Sequence, residues 1–128
     1  MLTGEVQIRV RYAETDRMGL LHHANYLVYF EQARTELLRD RGKTYKDLED
    51  AGFFLVVAKA EVRYRAPAHY DDVLTIRTTV TRTSPVRLEH KYEVFRDGSL
   101  ICEGFTTLAC VDRDGKLQAM PEWLTETK

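Results

Sequence analysis

The chain has 128 residues, a length typical of one domain that folds without metal or disulfide staples. Its 19 basic and 20 acidic residues give a net charge of -1, which excludes a general attraction to nucleic acid or to an anionic membrane. The first residues lack the basic and apolar segments of a signal peptide, and no apolar run approaches the ~20 residues of a membrane span. We therefore expect a single domain over residues 1–128, without a membrane span and located in the cytoplasm.

Residues 5–12 predict the first strand, because apolar and polar side chains alternate strictly along them. Val6, Ile8, Val10 and Tyr12 share one face, which we expect to point inward. Tyr12 is thus predicted to end the inward-facing row, in a position that borders a pocket.

The main helix is predicted over residues 26–41, where apolar residues recur at the helical spacing. The preceding residues 13–25 are irregular, and Gly19 within them suits a turn. Asn25 is a good N-cap residue for the helix, although the helix could begin a few residues earlier. Gly42 follows the last helical residues as a C-cap.

A second, short helix is predicted over residues 45–51. Thr44 before it and Asp47 within its first turn form a variant of the capping box, in which each side chain accepts a hydrogen bond from the other residue's backbone. Gly52 closes this helix.

The rest of the chain predicts strands joined by short connections. Asp97-Gly98 is a strong signal for a two-residue hairpin turn, Asp114-Gly115 marks another turn, and Pro67 ends a strand. The tail from Pro121 is expected to be frayed. The predicted strands cover residues 53–66, 72–82, 86–96 and 100–112.

The two cysteines, Cys102 and Cys110, fall on the same side of the last predicted strand. A strand rises ~3.3 Å per residue, so the two residues lie roughly 26 Å apart and cannot form a disulfide while the strand is intact. No metal-ligand spacing surrounds either thiol. The pattern predicts two buried, reduced thiols, as in proteins of a reducing compartment.

The order of these elements predicts the α+β class. One strand precedes one dominant helix, a short helix follows, and an antiparallel meander completes the chain. The simplest way to bury the apolar faces is a curved antiparallel β-sheet wrapped around one long central α-helix. No internal repeat or linker divides the chain, so we expect one domain.

Side chains able to do chemistry concentrate in the loop between the first strand and the main helix. The chain has no Gly-rich phosphate loop, no Gly-x-Ser-x-Gly elbow and no zinc-ligand spacing. At a helix N-terminus, free backbone N–H groups stabilise an oxyanion, and a nearby carboxylate can act as general base or nucleophile. Such a loop is sufficient for acyl transfer from a good leaving group such as a thiol, although each of its residues taken alone also fits a structural role. The candidates are Glu14, Asp16, His22, His23 and Asn25.

This loop and the helix after it carry a long motif with two fixed gaps. The motif comprises Thr15-Asp16-x-x-Gly19, His23-x-Asn25-Tyr26 and Phe30-Glu31-x-Ala33-Arg34. In these residues the chain resembles the 4-hydroxybenzoyl-CoA thioesterase family of hot-dog proteins, and within it the YbgC-like acyl-CoA thioesterase branch. The order of elements is similar to the hot-dog fold across essentially the whole chain.

The resemblance implies a role for each matching residue. Asp16 would be the catalytic aspartate, which acts on the thioester carbonyl as nucleophile or general base. His23 would bind the thioester oxygen through its backbone N–H, while its side chain orients substrate or water. Tyr12 would complete the catalytic group. Asn25 and Tyr26 would border the substrate and fix the entry to the helix.

The reaction that the resemblance implies is hydrolysis of a short-chain or aromatic acyl-CoA to the free acid and CoA, with no metal or redox cofactor. The CoA phosphates need a basic rim, for which Arg82, Ser84 and Arg87 are candidates. His22 stands where a tyrosine is common in this branch, which leaves the acyl preference open. The resemblance also implies dimers or tetramers whose active sites are shared between protomers.

Two alternatives on the same fold stay open. A 3-hydroxyacyl-thioester dehydratase or hydratase needs a His–carboxylate pair, which His23 and Glu31 could form. A non-catalytic acyl-CoA-binding protein is the other alternative, because fold does not fix function. The Thr-Asp-x-x-Gly segment with its intact Asp16 favours hydrolysis over both.

Overall fold

The computed structural model describes residues 2–125, in which five strands form one antiparallel sheet with three α-helices beside it. The strands are β1 (Thr3–Arg9), β2 (Phe54–Tyr64), β3 (Val73–Thr83), β4 (Arg87–Arg96) and β5 (Ser99–Val111). The helices are α1 (Asn25–Asp40), α2 (Tyr45–Asp50) and α3 (Glu122–Thr125). The strand order across the sheet is β1-β3-β4-β5-β2, so β1 and β2 form its two edges.

Helix α1 lies against one face of the curved sheet, as the sequence predicts. Phe30 of α1 stacks on Tyr92 of β4, with ring centroids 4.4 Å apart. On β5 the residue below Phe30 is Gly104, where a Cβ atom would lie only 2.2 Å from the Phe30 ring. The missing side chain therefore lets the helix approach the sheet closely. The buried residues of α1 are Tyr26, Tyr29, Phe30, Ala33, Leu37 and Leu38.

The buried apolar residues form two clusters along α1. One includes Tyr26 and Phe30 in the first half of the helix. The other includes Leu37 in the second half, together with Leu48 of α2 and Leu124 of α3. Because α3 packs into this cluster, the predicted frayed tail is wrong as far as α3 extends. The last part of that tail, residues 126–128, lies outside the described residues.

The predicted strands after α2 are confirmed, with ends that differ by at most two residues from those expected. Asp97 and Gly98 form the hairpin turn between β4 and β5 with φ values of 50° and 81°, the left-handed conformation that a two-residue turn requires. At the start of α2, Thr44 and Asp47 form both hydrogen bonds of the predicted capping box. Local sequence signals therefore determine these boundaries.

The first strand begins two residues earlier than predicted and ends three residues earlier, at Arg9. Val10 N still donates to Asp72 O at 2.9 Å, but the chain then turns into a 3-10 helix over Tyr12–Glu14. The Tyr12 side chain is 77% exposed as a result. Its predicted place in the inward-facing row is therefore wrong.

The predicted N-cap of α1 is also wrong, because Asn25 is the first helical residue and Ala24 precedes it as the cap. The Asn25 side chain turns back to the preceding loop, where its Nδ2 donates to the Glu14 carbonyl at 2.9 Å. The N–H of Ala24 is bound by His22 Nδ1 at 3.1 Å. A contact with the loop thus replaces the cap that local preference favours.

Strand β2 is an exposed sheet edge that carries apolar side chains. Val56 and Val57 are 45% and 53% exposed. Within residues 2–125, β5 is the one strand that pairs with β2, so its outer backbone groups are available to another strand.

Cys102 and Cys110 on β5 are buried and free, as the sequence predicts. A separate observation concerns the helices of residues 2–125: none has the length and apolar character needed to cross a membrane.

Candidate active site

The segment between β1 and α1 folds into a small hairpin whose turn contains Asp16. Thr15 and Leu21 form a β-bridge at its base. Asp16 N donates to Leu20 O at 2.8 Å, and Gly19 N donates to Asp16 O at 3.0 Å. Gly19 has a φ of 79°, a conformation that L side chains rarely adopt, so glycine suits this turn. The hairpin holds Asp16 in one defined backbone position.

The Asp16 carboxylate is fixed through one of its two oxygens. Oδ1 accepts hydrogen bonds from Met18 N at 2.8 Å and from Leu20 N at 3.1 Å. Within residues 2–125, Oδ2 has no hydrogen-bond or ion-pair partner, and the residue is exposed. This arrangement leaves one carboxylate oxygen oriented and free to act on a substrate or a water molecule.

The N-terminus of α1 follows His23 almost directly. No acceptor within the described part of the chain binds the backbone N–H of His23. The carbonyl of the same residue accepts from the Tyr64 hydroxyl at 2.9 Å, which ties the helix entry to β2. The His22 and His23 rings stack with centroids 4.2 Å apart. A free N–H at the positive end of a helix is a suitable donor to an oxyanion.

Glu14 lies buried beneath this loop, with 8% of its surface exposed. Its carboxylate accepts from the Tyr29 hydroxyl at 2.7 Å, from Arg11 N at 2.8 Å and from the Arg11 guanidinium at 3.2 Å. Burial alone would raise the pKa of Glu14, but these hydrogen bonds outweigh it and hold the pKa below its ordinary value. Burial, and then the bond to Glu14, raise the pKa of Tyr29. The pair is therefore a carboxylate bonded to a neutral phenol near neutral pH.

The two tyrosines that the resemblance assigns to the site occupy different environments. Tyr12 is exposed and packs edge-on against Tyr70, with ring centroids 5.6 Å apart. Tyr26 is buried and packs edge-on against Tyr64 at 5.3 Å. Burial raises the pKa of Tyr26 to about 12, so it stays a neutral phenol. Tyr26 suits a structural role at the helix entry, whereas the catalytic role of Tyr12 stays a prediction.

Sequence reasoning missed two residues that shape this site, Tyr29 and Tyr64. Tyr29 belongs to the apolar face of α1, where its spacing does not distinguish it from the core residues around it. Tyr64 ends β2, and its contact with His23 joins residues that are 41 positions apart. No local pattern indicates either contact.

Arg82, Ser84 and Arg87 line one cavity of about 260 Å³ at the turn between β3 and β4. Ser84 Oγ accepts from Arg87 N at 3.1 Å. The cavity lies at the end of β3, whereas the Asp16 loop follows β1, whose end pairs with the start of β3. At ~3.3 Å per residue, the length of β3 separates the cavity from the Asp16 loop by roughly 30 Å. One chain therefore gathers the three predicted residues but does not bring them to Asp16.

Glu31 and His23 do not form a pair within one chain. Glu31 is exposed on the side of α1 that faces an open cleft of about 280 Å³, together with Arg34 and Tyr45. At ~1.5 Å per residue, Glu31 lies roughly 9 Å along the helix axis from Asn25, and farther still from His23. As for metal ligands, no group of three or more His, Cys, Asp or Glu side chains that could hold an ion occurs within residues 2–125.

The curved sheet wrapped around α1, with an aspartate-bearing loop at the helix N-terminus, defines a hot-dog protein with a thioesterase-type site. The chain belongs to the Thioesterase-like superfamily, whose sequence profile matches residues 10–127.

The relatives make the assignment more specific. Acyl-CoA thioester hydrolase YbgC of Escherichia coli O6:H1 is 35% identical over 106 residues, which cover 82% of this chain and 79% of that protein. Acyl-CoA thioesterase YbgC of Haemophilus influenzae is 33% identical over 106 residues, covering 82% and 78%. Among solved structures, DHNA-CoA thioesterase from Staphylococcus aureus superposes with a TM-score of 0.92 at 34% identity, covering 97% of this chain and 87% of that one. The predicted fold, family and YbgC-like branch are therefore confirmed.

Proposed function

We propose that this chain hydrolyses the thioester of a short-chain or aromatic acyl-CoA to the free acid and CoA. The observation that carries the proposal is the Asp16 carboxylate, which has one oxygen held by two backbone N–H groups and the other unbound. The unbound N–H of His23 in the same loop supplies the second group that the chemistry needs. The YbgC relatives and the S. aureus DHNA-CoA thioesterase, by their names, act on acyl-CoA thioesters.

In the proposed reaction, the thioester oxygen accepts the hydrogen bond of the His23 N–H. Negative charge builds up on this oxygen as the carbonyl carbon is attacked, and one such preoriented donor contributes roughly 100- to 1000-fold in rate. Asp16 Oδ2 either attacks the carbon itself or takes a proton from a water molecule that attacks. The C–S bond then breaks and CoA leaves as a thiolate, a good leaving group that needs no strong acid. In the first route, water afterwards hydrolyses the acyl-aspartyl anhydride.

We propose that two protomers share each active site by pairing their β2 edges. Antiparallel pairing about the middle of β2 would place the Tyr64 end of one strand beside the Phe54 end of the other. The Phe54 end of β2 lies level with the cavity at Arg87 along the strand direction, because Arg87 pairs with Ala109 of β5 and Ala109 pairs with Val56 of β2. Three strand spacings of ~4.8 Å would then separate the cavity from the partner's loop by roughly 15 Å.

This pairing gives the Arg82, Ser84 and Arg87 cavity a use that it lacks within one chain. The guanidinium groups of one protomer would bind the phosphates of a CoA whose thioester lies at the partner's Asp16. The exposed apolar side chains of β2 support an interface at this edge. A tetramer made of two such dimers is the larger assembly that we expect.

Cytoplasmic location is part of the same proposal. Its support is the pair of free, buried thiols at Cys102 and Cys110, which suit a reducing compartment. The reaction as written uses only this chain's residues, water and the substrate.

The hydratase alternative needs a His–carboxylate pair, and because His23 and Glu31 are not paired within one chain, the pair would have to form between protomers of the proposed dimer. The binding-only alternative is tested by the same experiment as the thioesterase. Free thiol released from a panel of short-chain, long-chain and aromatic acyl-CoAs would be measured with wild type and with Asp16→Asn. The asparagine can keep both backbone hydrogen bonds through its Oδ1 while it replaces the reactive oxygen with an amide nitrogen.

We expect Asp16→Asn to lower kcat by at least ~1000-fold, with the fold and the oligomer size unchanged. Asp50→Asn, which changes an exposed carboxylate on α2, serves as the matched control and should retain wild-type turnover. Near-native turnover by Asp16→Asn would eliminate the assigned mechanism. If wild type releases no thiol from any acyl-CoA, a 3-hydroxyacyl thioester would be offered next.

A further inference from the structure

Glu14 is the one buried carboxylate within residues 2–125, and the hydrolysis proposed above does not use it. Removing a carboxylate from water is costly unless hydrogen bonds compensate for it, and those of Glu14 do so, since they hold its pKa below the ordinary value. The same hydrogen bonds fix the residue in place, and its contacts indicate which segments it holds.

The contacts of Glu14 join both sides of the active-site loop. Its carboxylate accepts from Arg11 N, at the start of the loop, and from the hydroxyl of Tyr29, which is in the second turn of α1. Its backbone carbonyl accepts from His22 N at 2.9 Å and from Asn25 Nδ2 at 2.9 Å. One residue thus contacts the segment before Asp16, the segment beside His23 and the helix itself.

We propose that Glu14 is a positioning residue, which sets the Asp16 carboxylate relative to the backbone N–H of His23. This inference rests on the proposed function, because it assigns these two groups to thioester hydrolysis. Glu14 is separated from Asp16 by one residue, and its carbonyl holds the residue next to His23. A displacement of Glu14 therefore moves the base or nucleophile and the oxyanion donor relative to each other. A misplacement of ~1 Å between reacting groups can cost about 100-fold in rate.

Tyr29 is the residue through which Glu14 connects the loop to the core between α1 and the sheet. Tyr29 is 1% exposed and belongs to the same core cluster as Phe30 and Tyr92, so its ring cannot shift without repacking the core. Its hydroxyl, 2.7 Å from the Glu14 carboxylate, is a fixed point in an otherwise exposed loop. The packed core thereby determines the position of the exposed loop.

Three variants separate positioning from charge. Glu14→Ala removes every side-chain contact, and Tyr29→Phe removes one hydrogen bond while it keeps the ring. Glu14→Gln removes the charge but keeps an oxygen that can still accept from both Arg11 N and Tyr29. The amide nitrogen of that glutamine would face the Arg11 guanidinium, which is 77% exposed at its side chain and free to move away.

Steady-state hydrolysis of the best acyl-CoA would be measured for each variant, with the folded fraction checked by circular dichroism. We expect Glu14→Ala to lower kcat by ~30- to 100-fold and to change KM by less than ~3-fold, because binding of the CoA portion lies elsewhere. Tyr29→Phe should lower kcat by ~3- to 10-fold, and the double variant should be no worse than Glu14→Ala. Glu14→Gln should restore most of the kcat lost in Glu14→Ala. Glu5→Ala, which removes an exposed carboxylate of β1 paired with Arg77, is the matched control.

Hydrogen exchange gives a readout that does not depend on activity. Met18 N and Leu20 N are bound by Asp16, and His22 N is bound by Glu14. We expect amide exchange in a peptide covering residues 14–25 to be faster by ~10-fold or more in Glu14→Ala than in wild type or Glu14→Gln. Peptides from β4 and β5 should exchange as in wild type.

The outcomes distinguish the two proposals. A wild-type kcat in Glu14→Ala, or an equal loss in Glu14→Gln and Glu14→Ala, would overturn positioning by Glu14. So would a kcat loss that merely follows the unfolded fraction. If wild type hydrolyses no acyl-CoA but exchange still rises in Glu14→Ala, the proposed function fails, and Glu14 is retained as the residue that orders the loop. Unchanged exchange in Glu14→Ala would count against Glu14 even in an active enzyme.

Discussion

The contact between Phe30 and Gly104 gives a quantitative prediction for Gly104→Ala. The added Cβ would lie 2.2 Å from Phe30 Cε2 and 2.5 Å from Cζ. Carbon atoms normally pack at ~3.5–4.0 Å, so the ring or the strand must move by more than ~1 Å. The ring cannot swing away, since its other neighbour is Tyr92 in a stacked arrangement at 4.4 Å. We therefore expect a cost of ~3 kcal/mol, at the upper end for overpacking, and a Tm lower by roughly 10 °C.

Urea unfolding at a fixed protein concentration would measure this cost, and the chain offers a close control. At Gly4 an added Cβ would lie 2.8 Å from Leu37 Cδ1, the end of a flexible side chain, so Gly4→Ala should cost less than ~1 kcal/mol. Phe30→Leu removes the atoms that collide, so Gly104→Ala should cost at least ~1 kcal/mol less in that background. A Gly104→Ala variant within ~0.5 kcal/mol of wild type, or a strictly additive double variant, would refute the reasoning.

The remaining predictions concern pH and CoA. Burial, and then the charge of Arg34, lower the pKa of His90 from 6.5 to about 3. Below pH 6.5 the unfolded chain therefore binds a proton at His90 that the folded state does not bind, so wild type loses stability as the pH falls from 6.5 toward 3. Leucine cannot titrate, so as the pH falls from about 7.5 to about 5 the free energy of unfolding of His90→Leu should rise by ~2 kcal/mol relative to that of wild type, measured by urea unfolding. Parallel pH profiles of the two proteins would contradict this. Charge reversal in Arg82→Glu or Arg87→Glu should raise KM for acyl-CoA by ~10-fold or more with kcat within ~3-fold, and unchanged KM in both would remove them from the CoA site.

The parts of the fold that the sequence predicts well are those whose signals are local. Alternation marks β4, the Asp97-Gly98 pair fixes the turn after it, and Thr44 with Asp47 fixes the start of α2. Each of these features depends on residues only a few positions apart. Their predicted bounds accordingly agree with the structure.

The errors occur where a distant contact outweighs the local pattern. Alternation continues to Tyr12, but the bonds from Glu14 to Arg11 and Tyr29 turn the chain before it. Asn25 has the character of an N-cap, yet its amide binds the Glu14 carbonyl. Both errors come from Glu14, which the sequence predicts to lie in the loop but whose hydrogen-bond partners the sequence does not indicate.

The candidate site divides in the same way. Asp16 and His23 are predicted as site residues from a motif whose members are neighbours in sequence, and the structure adds the hydrogen bonds that each of them makes. Arg82, Ser84 and Arg87 were predicted as one group, and a single tight turn does bring them together. Their distance from Asp16 arises because the cavity lies at the end of β3, whereas the Asp16 loop lies near the start of β3. That relation follows from the strand order, which no local pattern contains.

The position of the His23 N–H depends on contacts from three separate elements. Gly104 on β5 sets how deeply α1 sits on the sheet, and Glu14 aligns the loop that leads into the helix. Tyr64 holds the His23 carbonyl from the end of β2, the strand through which the proposed dimer forms. Pairing of the β2 edges would order Tyr64 and, through it, the oxyanion donor. Assembly and catalysis would then be linked by one hydrogen bond, from the Tyr64 hydroxyl to the His23 carbonyl.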